Sequence, residues 1–483
     1  MNGKRNFELG IWGLTALSQI IFLATFLVKT RGSVGYADWK KVDGVLYYST
    51  ESYQATKWMT IAVLVVILFE LSVTLWGIYS KTYLATFASC TGMLLYFGMF
   101  IQVFYNNGAN LQKHVIFTLA GMVFMWGYYF LVRVKLSDQH GKLVMFALSA
   151  LIVISLAAWF IGIITKSAKY GSYAWISIGG FSIQPGEFLK VLIILLSAWI
   201  YKYRNNKMMT RLYLLFCAAA VFVLVLAKDL GNAVVLLAIC LVSSWFIFDK
   251  WYYTALAMSG GVGALLLAGK FVPYVRARFE ACFHALESGS GQQYQSLMAI
   301  LKNGLGGCGP AGEVVSATYI TSSATDLTFN SFVAIYGIIL AMILVLFVIV
   351  LFVQILITPV VSPFHYMLGI LGVTTLFAQY IIHIGGNLNV IPLTGICMNF
   401  ISTGGSNMLA SFMILGGILS CLSPGFEPVK IKVFNGGKKH DYKYSREKMH
   451  RHWLNDRLHV LHGLCGLHFN WKRGRYRYRK SEL

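Results

Sequence analysis

Charge is what this chain has least of. Asp, Glu, Lys and Arg make up 12% of its 483 residues, about half the share found in an ordinary soluble domain. With 57% hydrophobic residues and a mean hydropathy of +0.65, that scarcity excludes the soluble globular class. Metal-binding patterns are absent as well. Of the eight cysteines, Cys90, Cys217, Cys240, Cys397 and Cys421 fall in or beside apolar runs, where each is expected as a small buried side chain. Cys282 and Cys308 share one long loop, either as free thiols or, on an oxidising face, as a pair. Six of the eleven histidines crowd the C-terminal end at spacings that suit no zinc site. A secretory cleavage site is also missing, since the first apolar run is longer than a signal-peptide core and no small-x-small step follows it.

What is present is a succession of apolar runs, each long enough to cross a hydrocarbon core of about 30 Å. They predict an all-α polytopic integral membrane protein with about twelve transmembrane helices. The runs lie near Leu9–Val28, Trp58–Tyr79, Leu84–Phe104, Val115–Val132, Leu143–Ile164, Gly186–Tyr203, Leu212–Leu226, Leu230–Phe248, Trp251–Leu267, Ser331–Leu356, Tyr366–Ile384 and Met408–Leu422. Basic residues fix the expected orientation. Lys4, Arg5, Arg133, Lys135, Lys142, Lys202, Arg204, Lys207 and Arg211, with the tail after Pro428, fall on one side, which the positive-inside rule makes the cytoplasm. Both termini are then cytoplasmic, and loops 29–57, 165–185 and 268–330 face outward.

The longest of these loops is polar and rich in glycine. It carries Arg276 and Arg278 in YVRAR, the run from Tyr294 through Gln295 to Ile300, the glycines of GLGGCG from Gly304 to Gly309, and Thr325-Asp326 ahead of the next apolar run. One carboxylate at the mouth of a membrane bundle, with arginines nearby, suits transfer of an anionic lipid-borne group better than ion conduction. For each arginine the plainer alternative is a solvated loop charge.

A second landmark runs from Gly171 to Lys190. Alternating apolar residues and two glycines lead into Gln184-Pro185, the signature of a short interfacial segment turning into a helix with proline in its first turn. Glu187 and Lys190 follow at i, i+3, so they share a helix face and can pair. That pair is either an anchor for the helix end or part of a functional cavity.

These residues resemble the SEDS family (shape, elongation, division and sporulation), the RodA and FtsW type of peptidoglycan polymerase. Gly171 to Lys190 is similar to the family's element ending in Gln-Pro-Ser-Glu, and 227–232 to its Gln-Pro-Asp-Leu-Gly-Thr element. Tyr274–Arg278, Gly291–Gly309, Ala324–Phe329 and Val390–Ser406 are similar to the elements that follow, in the same order. The chain departs from the family at Ala174 (Arg), Gly186 (Ser), Lys228 (Pro) and Thr403 (Tyr), and Ala334 and Ile335 stand where a pair of glutamates is usual. Five predicted spans precede the first element instead of three, which suggests a core of ten helices plus an added N-terminal pair.

The resemblance implies a peptidoglycan glycosyltransferase that polymerises lipid II at the outer face of the bacterial cytoplasmic membrane, for cell shape, division or sporulation. It makes Asp326 the catalytic base. It places Gln184, Glu187, Lys190, Asp229, Arg276, Arg278 and Gln295 on the substrate-binding side, and allows a divalent cation, Mg or Mn, to share the pyrophosphate. The implied partner is a class B penicillin-binding protein. The organisation expected is helices over 1–170, the family-like core over 171–425 with its large loop 268–330, and a cytoplasmic tail over 426–483. The tail holds 15 Lys and Arg against 5 Asp and Glu. Leu454, Leu458, Leu461 and Leu464 recur there at helical spacing, which suits an amphipathic helix on anionic membrane lipid, and the basic-aromatic ending from Trp471 is assigned to lipid and not to nucleic acid. A lipid-precursor flippase or transporter and a non-catalytic scaffold of a cell-wall synthesis complex are the two other classes the sequence permits.

Overall fold

A computed structural model describes residues 2–423 apart from short stretches, chiefly 104–108, 135–140, 165–172, 249–251, 264–269, 288–290, 308–321 and 358–361, and also the hairpin at 430–443. In chain order the elements are α1 (Asn2–Ala37), β1 (Trp39–Val42), β2 (Val45–Tyr48), α2 (Thr50–Ser80), α3 (Ala85–Gln102), α4 (Ala109–Val134) and α5 (Gly141–Ile164). Next come β3 (Ile176–Ile178), β4 (Phe181–Ile183), α6 (Pro185–Lys202), α7 (Lys207–Leu226) and α8 (Leu230–Ile247). The remainder is α9 (Pro273–Phe283), α10 (Gln292–Asn303), α11 (Thr328–Ile357), α12 (Pro363–Asn387), α13 (Gly405–Leu422), β5 (Lys430–Asn435) and β6 (Lys438–Lys443).

The chain is an all-α polytopic membrane protein. Among the described residues nine helices are long and apolar enough to cross a membrane: α1 to α4, α7, α8 and α11 to α13. The expected twelve included α5, whose apolar stretch Phe146–Gly162 is shorter, and α6, which carries Glu187 and Lys190. Most of the expected Trp251–Leu267 span, Cys308 and Gly309, and the leucine and basic-aromatic stretches of the tail lie outside the described residues. Two compact units are present, 1–425 and 426–483. In the second, β5 pairs antiparallel with β6 from Lys430 opposite Lys443 to Asn435 opposite Lys438.

With no hydrophobic force between helices in lipid, close packing rests on small residues and on polar pins. α4 and α13 meet through glycines: a Cβ on Gly416 would stand 2.4 Å from the Met125 carbonyl, and one on Gly121 would strike the ring of Phe412. The N-terminal pair is pinned by polar contacts. Glu8 Oε2 accepts from the backbone N–H groups of Leu84 (3.0 Å) and Ala85 (2.7 Å), satisfying donors that the start of α3 leaves free. Deeper in, Gln19 Nε2 donates to Glu70 Oε1 at 2.6 Å, and both residues are fully buried. Gly92 of α3 leaves the space that Glu70 fills.

Forcing α4 and α13 apart is expected to cost about 1–3 kcal/mol, as overpacking does elsewhere. Gly416→Leu should therefore lower the melting temperature in detergent. Gly127→Leu, where nothing lies within 4 Å of a new Cβ, should leave it near the original value. Equal melting curves for the two variants would contradict the packing described.

Candidate functional site

Between α12 and α13 the chain runs through residues 388–404 without regular structure. Met398, Asn399, Phe400, Ile401 and Ser402 of this segment are buried. Irregular backbone inside a membrane bundle persists only where protein groups satisfy it. Here they do. Tyr380 Oη donates to the Asn399 carbonyl at 2.7 Å and His383 Nδ1 to the Ile396 carbonyl at 2.7 Å. Ser411 Oγ donates to Asn399 Oδ1 at 2.9 Å, and Ser402 Oγ accepts from Met398 N at 2.9 Å. Asn389, Gly395 and Phe400 turn the chain with φ of 61°, 73° and 64°.

The Asp326 turn is clamped to this segment. Thr403 N donates to the Ala324 carbonyl at 3.0 Å, and Ser402 Oγ donates to the Thr325 carbonyl at 2.7 Å. Gln102 of α3 joins both sides, its Nε2 lying 3.1 Å from the carbonyls of Ala324 and Ile401. From behind, Asn387 Nδ2 donates to the Asp326 carbonyl at 2.8 Å. The carboxyl group is half-buried and faces Gly395, where even an added Cβ would remain 3.6 Å from Oδ2. Burial pushes the Asp326 carboxyl above the usual carboxylate value, while a Thr325 hydrogen bond and the Arg278 charge pull it part of the way back.

On the other side of the same segment lies a buried polar cluster. β3 and β4 form a short hairpin, pairing Ile176 with Ile183, that delivers Gln184 to the start of α6. Gln184 N donates to Ser406 Oγ (3.1 Å) and Gln184 Nε2 to Asp229 Oδ2 (2.6 Å). Asp229 caps α8, accepting from Asn232 N at 3.3 Å and Asn232 Nδ2 at 3.0 Å. Its carboxyl is held above the ordinary value by desolvation, despite the bond from Asn232. One turn into α6, Lys190 Nζ meets Glu187 Oε2 at 2.7 Å with both side chains buried, and Asn407 Nδ2 donates to the same oxygen at 3.2 Å. Gly231 packs on Ile396 and the Thr394 carbonyl, so α8 abuts the segment next to the residue that faces Asp326.

The two arginines of YVRAR part company. Arg276 is exposed and ion-paired with Glu280 at 2.8 Å. Arg278 turns inward, donates to the Leu393 carbonyl and lies 4.7 Å from the Tyr274 ring centroid. It also borders an apolar pocket of about 260 Å³ lined by Leu230, Phe279 and Pro392. Gln295 is exposed on α10; its neighbour Ser296 is buried and bonded to Asn330 Nδ2. The glycine run has a structural use. α11 breaks at Gly337 (φ 84°), and Gly307 (φ 69°) seats so closely there that a Cβ would stand 2.4 Å from the Ile335 carbonyl. Cys282 is buried and free, with Sγ 3.5 Å from the Asn389 carbonyl. Among the described residues no group of three or more His, Cys, Asp or Glu converges to hold a metal. Gln102, Asn232, Ser402, Ser406 and Asn407 complete the site; Asn232, Ser402 and Ser406 fall inside elements the sequence singles out, but no role attaches to any of the five from sequence alone. Gln102 gave one signal, an amide inside an apolar run.

The cell cycle protein family of FtsW, RodA and SpoVE has a model that matches residues 82–424. The chain belongs to this family. Stage V sporulation protein E of Bacillus subtilis (strain 168) is 30% identical over 271 residues, which cover 52% of this chain and 72% of that protein. A Caulobacter vibrioides (strain NA1000 / CB15N) protein named probable peptidoglycan glycosyltransferase FtsW is 29% identical over 284 residues, covering 56% of this chain and 70% of its own. A chain from a solved peptidoglycan synthase complex, described as coordinating polymerization and crosslinking, superposes with a TM-score of 0.54 at 20% identity. That likeness covers 69% of this chain and 95% of the other. The FtsW/RodA/SpoVE match begins at residue 82, so α1 and α2 lie ahead of it.

Breaking a buried ion pair strands a charge and costs about 3–5 kcal/mol, whereas replacing both partners costs less. Lys190→Met is expected to destabilise the protein by about 3 kcal/mol, and Glu187→Gln/Lys190→Met to regain part of that loss. Denaturation in detergent reads the difference. A double variant no more stable than Lys190→Met would show that the pair is not the stabilising unit.

Proposed function

We propose that the chain is a peptidoglycan glycosyltransferase that polymerises lipid II at the outer face of the bacterial cytoplasmic membrane, with Asp326 as its base. The observation that carries this reading is the Asp326 turn, clamped at Ala324, Thr325 and its own carbonyl so that the half-buried carboxyl opens toward Gly395. The name of the Caulobacter vibrioides relative, probable peptidoglycan glycosyltransferase, supports the reaction class.

The chemistry follows from charge and proton balance. The 4-hydroxyl of the N-acetylglucosamine on an incoming lipid II loses its proton to the Asp326 carboxylate as its oxygen bonds to the anomeric carbon of the growing strand. The bond from that carbon to the pyrophosphate breaks, and undecaprenyl pyrophosphate leaves with the electron pair. Burial raises the Asp326 carboxyl above its usual value, which makes it a stronger base once ionised. Arg278 lies on the Asp326 side of the site and offers a fork for phosphate oxygens, while Arg276, already paired with Glu280, is assigned to the surface. Glu187, Lys190, Gln184 and Asp229 shape the polar wall. A single-pass class B penicillin-binding protein is the proposed partner for crosslinking, supported by the fold shared with a chain of the peptidoglycan synthase complex.

Purified protein given labelled lipid II should form glycan strands, and Asp326→Asn should lower the rate at least about 100-fold, the scale of a lost general base. Because the base acts ionised and its folded value is raised, activity should fall as pH drops through that value. The acid limb of kcat/KM should therefore lie above the ordinary aspartate value of about 3.9. An active Asp326→Asn variant would remove Asp326 from the role. An inactive wild-type chain that still binds a transpeptidase would favour the scaffold, a reading to which the buried Ala334 and Ile335 lend support.

A further inference from the structure

Lys228 sits at the corner between α7 and α8 with φ of 59°. A proline, which the family resemblance places here, is locked near −65° and cannot adopt that conformation. The corner is therefore built differently in this chain, and a lysine in the left-handed region carries a conformational cost. Two tyrosine-bearing segments hold it. Tyr173 N donates to the Ala227 carbonyl at 3.1 Å, and Tyr274 Oη donates to the Lys228 carbonyl at 3.2 Å. The half-buried ammonium lies 5.0 Å from the Tyr173 ring centroid and 5.7 Å from that of Tyr274. Arg278 lies 4.7 Å from the same Tyr274 centroid, so the two cations are no further apart than the sum of their distances to that ring.

Neither cation has an ion-paired carboxylate among the described residues. The neighbouring Asp229 is occupied by Gln184 and Asn232, and Asp326 reaches Arg278 only through its field. Two half-buried cations that share one aromatic ring make a site for a divalent anion, since aromatic faces hold cations in place without neutralising them. The apolar pocket beside Arg278 gives the anion an apolar neighbour.

We infer that Lys228, with Arg278 and Tyr274, forms a pyrophosphate-binding site that selects the lipid-linked pyrophosphate and that this chain builds with a lysine where the family resemblance places proline. The inference rests on the polymerase reading for its substrate, but its test does not. Binding of inorganic pyrophosphate and of a short-chain prenyl pyrophosphate to the detergent-purified full chain is measured by titration for wild type, Lys228→Gln and Lys228→Arg, with melting curves alongside. Lys228→Gln should weaken both ligands about tenfold, the effect of one charge-assisted contact, and flatten the salt dependence. Lys228→Arg should restore most of the affinity. Unchanged affinity in Lys228→Gln, or an equal loss in Lys228→Arg, would assign the residue to the corner alone. If wild type polymerises lipid II, Lys228→Gln should raise KM more than it lowers kcat. If it does not, the polymerase reading falls while the titration still decides the site.

Discussion

An irregular backbone can cross the interior of a membrane bundle only if protein groups take the place of water for every N–H and C=O it exposes. Side chains take that role at several points of residues 388–404, and much of the rest of the site hangs from them. Tyr380, His383 and Ser411 fix the segment from α12 and α13. Ser402 and the Thr403 amide then hold the Asp326 turn, while Ser406 and Asn407, just beyond, hold Gln184 and Glu187. One segment thereby sets the position of a carboxyl on one side and a polar cluster on the other. Such preorganisation is worth most where water is excluded.

Two kinds of signal were readable in the sequence, and both are local. Glu187 and Lys190 are three residues apart on one helix, so helical geometry alone brings them together, and the pair is present at 2.7 Å. The Gln184-Pro185 turn likewise opens α6 with proline in the first turn. Apolar runs long enough to cross a bilayer gave the membrane class directly.

Contacts between distant stretches were not readable. Gln184 and Asp229 are separated by 45 residues, and Gln102 meets Ala324 across 222; no periodicity encodes either. Arg276 and Arg278 looked equivalent in the sequence, yet two residues apart on a helix they point to different sides. One therefore pairs with Glu280 at the surface and the other enters the site. The same logic separates exposed Gln295 from buried Ser296. Gly307 of the long loop is needed for its close approach to the break at Gly337, a requirement that only tertiary contact reveals.

The central claim is that the position of the Asp326 turn, and not only its carboxylate, makes the site competent. Gln102 tests it most directly, because this side chain touches no proposed reacting group and holds the turn to the 388–404 segment through two carbonyls. The measurement is kcat for lipid II polymerisation by Gln102→Leu beside its melting temperature. The account predicts a kcat lower by about tenfold or more, as small misplacements of catalytic groups produce, in a protein that still melts cooperatively within a few degrees of wild type. Wild-type kcat in Gln102→Leu would contradict it.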